Sequence, residues 1–225
     1  MDTERVRRPT PTIEDYLGAI YTLSRDGQPV IGRRLAEWLE VSPPTVTATI
    51  QRMIRDGWIT QAKDKSIHLT PAGLRAAISV VRRHMLTELL LARVLGVSWS
   101  KVHEEADRLE HGFSSETTER VAEIVQDSST CPHGNPLPGH EHLVEAMVPL
   151  LEAKISEEYV LARVHEGIER NHELMAFLER HCLIPGAVVR VIEVMPFNET
   201  VTLESGGSQV VLGLSVARNL WVVPA

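Results

Sequence analysis

Apolar residues recur at helical spacing from near the start of the chain. Ile13, Leu17, Ile20 and Tyr21 form one stripe, with Thr12 placed to cap it and Glu14 and Asp15 in its first turn. After the breaker Asp26-Gly27-Gln28-Pro29, the positions Leu35, Ala36 and Leu39 mark a short second helix within residues 31–39. Ser42-Pro43-Pro44 then supplies a cap and a first-turn proline for a third helix, predicted over residues 43–56, with Val46, Ile50, Met53 and Ile54 on its apolar face. Two β-prone runs, residues 58–62 and 66–69, flank the charged tip Lys63-Asp64-Lys65. Three helices and a hairpin in this order predict a winged helix-turn-helix whose third helix reads DNA.

Thr70-Pro71 opens a longer helical stretch, with Leu74, Ile78, Val81, Met85, Leu89 and Leu90 on its apolar positions, that stops near Gly96. Further helices are predicted at residues 99–111 and 116–126, making this segment a candidate dimer surface, and the Pro and Gly cluster at 131–139 reads as a loop. From Tyr159 onward the texture turns to β-branched runs at 188–194, 201–203, 210–216 and 220–223, interrupted by one helix at 168–180. The expected fold is mainly α with a small β-barrel. The expected division is a DNA-binding domain at 1–73, a helical metal-binding and dimerisation domain at 74–140, a linker at 141–153 and a barrel at 154–225.

Charge changes the picture only when it is divided. The net charge of −7 over 225 residues argues against a DNA partner, yet residues 1–80 carry 11 Lys and Arg against 9 Asp and Glu, and residues 81–225 carry 12 against 21. That asymmetry suits a DNA-facing head on a carboxylate-rich body, as it also suits solvated acidic helices. No apolar stretch approaches the length of a membrane span, and the N-terminus lacks the apolar core of a secretory signal, so a cytoplasmic protein without a membrane partner is expected. Cys131 and Cys182 stand far apart without a CxxC pattern, which indicates neither a disulfide framework nor a thiolate zinc site.

Candidate chemistry centres on residues 103–111. Asp107, Glu110 and His111 stand at i, i+3 and i+4, so two carboxylates and an imidazole share one face of a helix. Oxygen and imidazole donors favour Mn²⁺ or Fe²⁺ over softer ions. A solvated helix paired to Arg108 has the same pattern. His84 and Glu88, at i and i+4, form a second set that His103 can join, although such a pair also makes an ordinary surface hydrogen bond.

Several segments taken together resemble the diphtheria-toxin-repressor family of metal-dependent transcriptional regulators over almost the whole chain. They are residues 12–17 (TIEDYL), 42–46 (SPPTV), 55–57 (RDG), 69–73 (LTPAG), Arg83-His84, Glu110-His111 and residues 134–138 (GNPLP), in the family's order and spacing. The resemblance implies a primary metal site of Asp15, Asp107, Glu110 and His111. It also implies an ancillary site of His84, Glu88 and His103, completed by Glu166 and Glu169 from a C-terminal Src-homology-3-like barrel. Iron-responsive members place Met and Cys where Asp15 and Asp107 stand, so the ligand set resembles the manganese-responsive branch. Gly18, where that branch uses a Glu, speaks against its two-ion cluster, and the long C-terminal segment is of iron-responsive type. The expected cofactor is Mn(II), with Fe(II) the alternative.

The implied function is a homodimeric repressor that binds double-stranded operator DNA when metal ties head to body and fixes the spacing of two recognition helices. Ser42, Pro44, Thr45 and Thr47 are candidates for base edges and phosphates, and Arg52, Lys63 and Lys65 for phosphates; Ser42 and Thr45 would also serve simply as helix caps. Two rival classes are a metallohydrolase, for which no general base or oxyanion element is evident, and a metal-independent winged-helix regulator. Phosphoester hydrolysis lost in Asp107→Ala would identify the first, and operator binding indifferent to chelator the second.

Overall fold

A computed structural model describes residues 8–126 and 128–225. Residues 1–7, read above as lacking a leader core, and Asp127, inside the expected second domain, lie outside the described residues. The chain forms two compact units, one up to Arg83 and one from His84.

In the first unit, α1 (Pro11–Arg25), α2 (Gly32–Leu39) and α3 (Pro43–Arg55) precede a hairpin of β1 (Ile59–Gln61) and β2 (Ile67–Leu69), and α4 (Pro71–Arg93) begins. Ile13, Leu17, Ile20, Tyr21, Leu35, Val46, Ile50 and Met53 of the three periodic stripes are buried, and Ala36, Leu39 and Ile54 are half-buried. Helix α1 starts two residues earlier than expected, with Thr10 rather than Thr12 at its N-cap, because Pro11 takes the first helical position. Ser42 caps α3 by accepting a hydrogen bond from the Thr45 amide. The hairpin is antiparallel, pairing Ile59 with Leu69 and Gln61 with Ile67, and Asp64 closes its tip by accepting from the amide and hydroxyl of Ser66. The Thr70 hydroxyl, which accepts from the Gly73 amide, starts α4.

In the second unit, the rest of α4 is followed by a 3-10 turn at Trp99–Lys101, α5 (Val102–Leu109), another 3-10 turn at Glu110–Gly112, and α6 (Ser115–Val125). The single helix expected over 99–111 is thus three pieces. Beyond the loop come β3 (Val148–Pro149), β4 (Glu158–Val164), α7 (His172–Arg180), β5 (Val188–Met195), β6 (Thr200–Ser205), β7 (Ser208–Gly213), α8 (Leu214–Ala217) and β8 (Leu220–Pro224). Helix α7 begins later than expected because the Asn171 side chain caps it at the Leu174 amide, and the run at 210–216 divides at Gly213 into a strand and a helical turn.

The expected barrel does not close. Its six strands form one sheet in the order β3-β8-β4-β5-β6-β7, leaving β3 and β7 as edges. Strand β3 has two residues, and Pro149 has no amide hydrogen to offer a further strand. Register shifts between Leu161 and Arg163 and between Val191 and Glu193 bend the sheet around a core that includes Leu161, Met175, Leu178, Val191 and Leu203.

The loop at 131–139 is held to the end of β4. The Val164 amide donates to the His133 carbonyl at 2.8 Å, and the Asn135 side-chain amide donates to the Val164 carbonyl at 2.8 Å. Between them Gly134 has φ +85°, and a Cβ there would lie 2.0 Å from the Ala162 carbonyl oxygen. Gly134→Ala is therefore expected to destabilise the second unit by about 3 kcal/mol. Chemical denaturation followed by circular dichroism measures this; a midpoint equal to wild type would show that the loop does not need so close an approach.

Candidate metal centre and nucleic-acid interface

Helix α4 places His84 and Glu88 one turn apart on one face, and α5 brings His103 to the same place. One Glu88 oxygen, Oε1, lies 3.1 Å from His84 Nε2, 3.1 Å from His103 Nδ1 and 3.5 Å from His133 Nδ1. Glu169 closes the cluster from the chain following β4, with Oε2 2.9 Å from His103 Nδ1 and Oε1 3.4 Å from His133 Nδ1. Glu88, His133 and Glu169 are all buried, at 1%, 0% and 2% exposure. Charged groups buried to this degree are costly unless paired or bound to an ion.

Hydrogen bonding fixes which nitrogen of His133 is available. Its Nε2 stands 3.1 Å from the Trp99 carbonyl oxygen, which can only accept, so Nε2 carries a proton. Nδ1 is then left buried, without a hydrogen-bond partner, facing two carboxylates. In a neutral ring that nitrogen presents a lone pair to negative oxygen, an arrangement that a second proton or a cation relieves. Glu88 Oε2 is likewise buried without a hydrogen-bond partner, as is His103 Nε2, which lies 3.8 Å from Asp107 Oδ2. These orphaned donor atoms fit a divalent cation.

Without an ion, protons do the same work. Burial alone would lower the pKa of His103, but the charge and hydrogen bond of Glu169, with that of Glu88, raise it to about 10. Burial opposes protonation of His84 and His133 too, yet Glu88 beside His84, and Glu169 and Glu88 beside His133, raise both. The carboxyl of Glu88 is held well below its usual range despite burial, by the imidazoles of His133 and His84. Cys131, buried within 4.8 Å of ligand atoms of Glu88 and His133, has its thiol pKa pushed well up by burial and by the Glu88, Glu169 and Glu166 charges.

The other expected set is partly assembled. His84, placed by expectation in the ancillary set alone, also turns Nδ1 toward Glu110 Oε2 at 3.0 Å and Asp107 Oδ1 at 3.5 Å. His111 Nε2 lies 3.7 Å from Glu110 Oε1. The i, i+3, i+4 face is interrupted because α5 ends at Leu109 and Glu110 opens a 3-10 turn. Asp15 is exposed on α1, in the first unit. Glu166, expected beside Glu169, instead accepts from Arg163 Nη2 at 3.0 Å.

Sequence reading missed His133 and set Cys131 aside. A histidine in a Pro and Gly loop has no i+4 partner to betray it, and only the adjacent Cys131-Pro132-His133 spacing offered a signal.

On the first unit, Ser42, Pro44, Thr45 and Thr47 are exposed at the start of α3, as are Lys63 and Lys65 on the hairpin tip. The Ser42 and Thr45 hydroxyls bond each other at 2.8 Å and the Thr47 hydroxyl donates to the Pro43 carbonyl at 2.9 Å, so their methyl and hydroxyl faces are held in place. Arg52 lies 3.7 Å from Asp56 and is half exposed. A groove of about 890 Å³, lined by Pro43, Thr47, Gln51, Gln61 and Lys65 among others, separates α3 from the hairpin.

Because its carboxylate neighbours raise the pKa of His103 to about 10 and raise those of His84 and His133, a metal ion bound there competes with protons. Mn²⁺ binding at about pH 7 is expected to release about one proton or more per ion, and affinity to rise from about pH 6 to about pH 9. Calorimetry in buffers of different ionisation enthalpy reads this directly; metal uptake without proton release would mean that the cluster is not the site.

Comparison with known proteins places these features in a family. Residues 9–67 match the iron dependent repressor N-terminal DNA binding domain, residues 70–139 the iron dependent repressor metal binding and dimerisation domain, and residues 148–224 the FeoA domain. The diphtheria toxin repressor of Corynebacterium diphtheriae is 35% identical over 219 residues, covering 93% of this chain and 95% of that protein. The iron-dependent repressor IdeR of Mycobacterium tuberculosis is 35% identical over 211 residues, covering 85% and 92%. Among solved structures, the manganese regulator SloR aligns with TM-score 0.78 at 30% identity, covering 96% of this chain and 100% of that one. A manganese-dependent transcriptional repressor in complex with manganese aligns with TM-score 0.82 at 26% identity, covering 95% and 100%. These relatives are DNA-binding regulators and not enzymes, and the chain belongs to the diphtheria-toxin-repressor family of metal-dependent transcriptional repressors.

Proposed function

We propose that the protein is a homodimeric, Mn(II)-dependent repressor that binds double-stranded operator DNA and controls metal-homeostasis genes in the cytoplasm. The observation that carries the metal dependence is the buried convergence of His103, His133, Glu88 and Glu169, which leaves donor atoms without partners. No helix among the described residues is long and apolar enough to cross a membrane. The division into domains at 1–73, 74–140, 141–153 and 154–225 remains a proposal; the family matches at 9–67, 70–139 and 148–224 support three regions, with bounds that cross those at 73 and 153.

Two ligand sets are proposed. The primary set, Asp15, Asp107, Glu110 and His111, rests on the sequence match and on its all-oxygen and imidazole donors, which favour Mn(II). The ancillary set is Glu88, His103, His133 and Glu169, with His84 at the junction of the two. A bound divalent cation supplies the positive charge that offsets repulsion among these carboxylates. Asp15 is the member that carries regulation. It sits on α1, which packs on α2, which packs on α3, so restraining Asp15 restrains the recognition helix. In a two-fold dimer this fixes the separation of the two recognition helices against the operator half-sites. Differential affinity for the restrained state sets the size of the switch.

One observation favours Fe(II) instead. Cys131 adds a sulfur donor beside Glu88 and His133, and sulfur suits a softer ion. A gel-shift titration of one promoter fragment with Mn²⁺, Fe²⁺, Co²⁺ and Zn²⁺, comparing wild type with Asp107→Cys, separates the two. Mn²⁺ should activate wild type and lose its advantage over Fe²⁺ in the variant; activation of wild type by Fe²⁺ alone would reassign the ion, and binding indifferent to chelator would end the metal dependence.

On the DNA side, Lys63→Ala with Lys65→Ala is expected to weaken operator binding uniformly across sequences and to lower the salt slope by about two. A changed sequence preference with an unchanged slope would show that these residues read bases.

A further inference from the structure

The two edges of the β-sheet are unlike. Strand β3 is closed to further pairing by its length and by Pro149, whereas β7 runs six residues, SQVVLG, without a proline, a lysine or any charge. Its ladder with β6 is unbroken from Ser205 opposite Ser208 to Thr200 opposite Gly213, so no bulge turns it away. The turn between the two strands is Gly206-Gly207, at φ +57° and +76°. In such a two-residue hairpin the residues flanking the turn exchange both hydrogen bonds, and the pattern alternates from there. Ser208, Val210 and Leu212 therefore commit their amides and carbonyls to β6, and Gln209, Val211 and Gly213 point theirs outward. Among the described residues no hydrogen bond outside the ladder reaches these three. Gln209 and Gly213 are exposed, and Val211 is 57% exposed.

We propose that the β7 edge is a self-association surface: it pairs antiparallel with β7 of a second copy of this chain, about a two-fold axis at Val211. The argument is complementarity. An antiparallel strand adds here only if its own outward residues meet the outward residues of β7. The set 209, 211 and 213 is symmetric about Val211, so a second copy supplies the matching set. Val211 then lies opposite Val211 and Gln209 opposite Gly213, with about six hydrogen bonds. The same register keeps the side chains in phase: buried Val210 meets Leu212 on the core face, and exposed Val211 meets its counterpart on the other. A slip of one residue loses every bond. No like charges face each other across the pair, although each chain as a whole carries −7. A foreign peptide offers the same backbone but must first be ordered, whereas this strand is already held extended by β6. The contact uses no metal ligand and lies outside the helical segment proposed for dimerisation, so it links one homodimer to another before either meets DNA.

The test is sedimentation equilibrium of the full-length protein from about 1 to about 200 µM, a range suited to a small contact. At the highest concentration wild type should approach twice the mass of Val211→Pro. The proline removes an outward amide and no bond to β6, so the circular dichroism spectrum should match wild type. Where the proline disturbs the strand, Val211→Lys decides: it leaves the backbone intact, sets two ammonium groups face to face and should weaken association at least about tenfold. Val211→Thr, which keeps strand propensity and adds no charge, should associate as wild type does. The mass of Val211→Pro also reports the homodimer reading, two chains where that reading holds and one where it fails, so the two ideas fail separately. Equal masses for wild type, Val211→Pro and Val211→Lys at every concentration would overturn the pairing. Wild type fixed at the mass of Val211→Pro, with a labelled SQVVLG peptide bound by wild type and not by Val211→Lys, would give the edge to a foreign strand and overturn the second copy as its occupant.

Discussion

Three imidazole nitrogens meet a single carboxylate oxygen of Glu88 inside the second unit, and much of that unit is arranged to sustain the contact. Glu88, His133 and Glu169 are buried, so each charge must be answered by a neighbour. Helix α4 supplies two of the groups, α5 a third, the loop after α6 a fourth, and the chain after β4 a fifth. No one element can make the cluster, and each must be docked before the charges balance. Buried polar sets of this kind rigidify when satisfied and are costly when one member is missing.

The loop carrying His133 illustrates the constraint. A ring placed by a flexible loop would not stay at 3.4–3.5 Å from two carboxylates. It is therefore bound from both sides, its own carbonyl accepting from the Val164 amide and its Nε2 donating to the Trp99 carbonyl. Gly134 permits the approach by having no Cβ where Ala162 passes. The β-sheet that follows serves the site through the end of β4, where the Val164 amide and carbonyl bond the loop.

How much of this could be read without coordinates differs from element to element. The periodic stripes of α1 to α3 identify most of their own buried faces, because a helix repeats locally and its core face is written in consecutive turns, whereas in α4 Val81, Met85 and Leu89 are buried but Leu74 is exposed. Pairs such as His84 and Glu88 are visible for the same reason. The placements of His133, Arg163 and Glu169 are invisible, since each depends on a partner far along the chain, Trp99 for His133 and Asn135 for Arg163 and Glu169. Sheet closure is also a long-range property: the β-branched runs announce strands, but a two-residue edge ending in proline does not look different from a longer one until its ladder is counted.

His84 is one of two residues through which the proposed ligand sets touch, the other being His103, whose Nε2 lies 3.8 Å from Asp107 Oδ2. The two ring nitrogens of His84 face different carboxylates, Glu110 on one side and Glu88 on the other, at 3.0 and 3.1 Å. A protonated ring donates to both at once; a neutral ring has one donor and one lone pair and must choose. Whatever neutralises Glu88 therefore alters how His84 meets Glu110, and the reverse holds with the same free energy, as linkage requires. Coupling between the two sets thus needs no moving domain. It follows from one imidazole, half-buried between two carboxylates, having only two nitrogens to give.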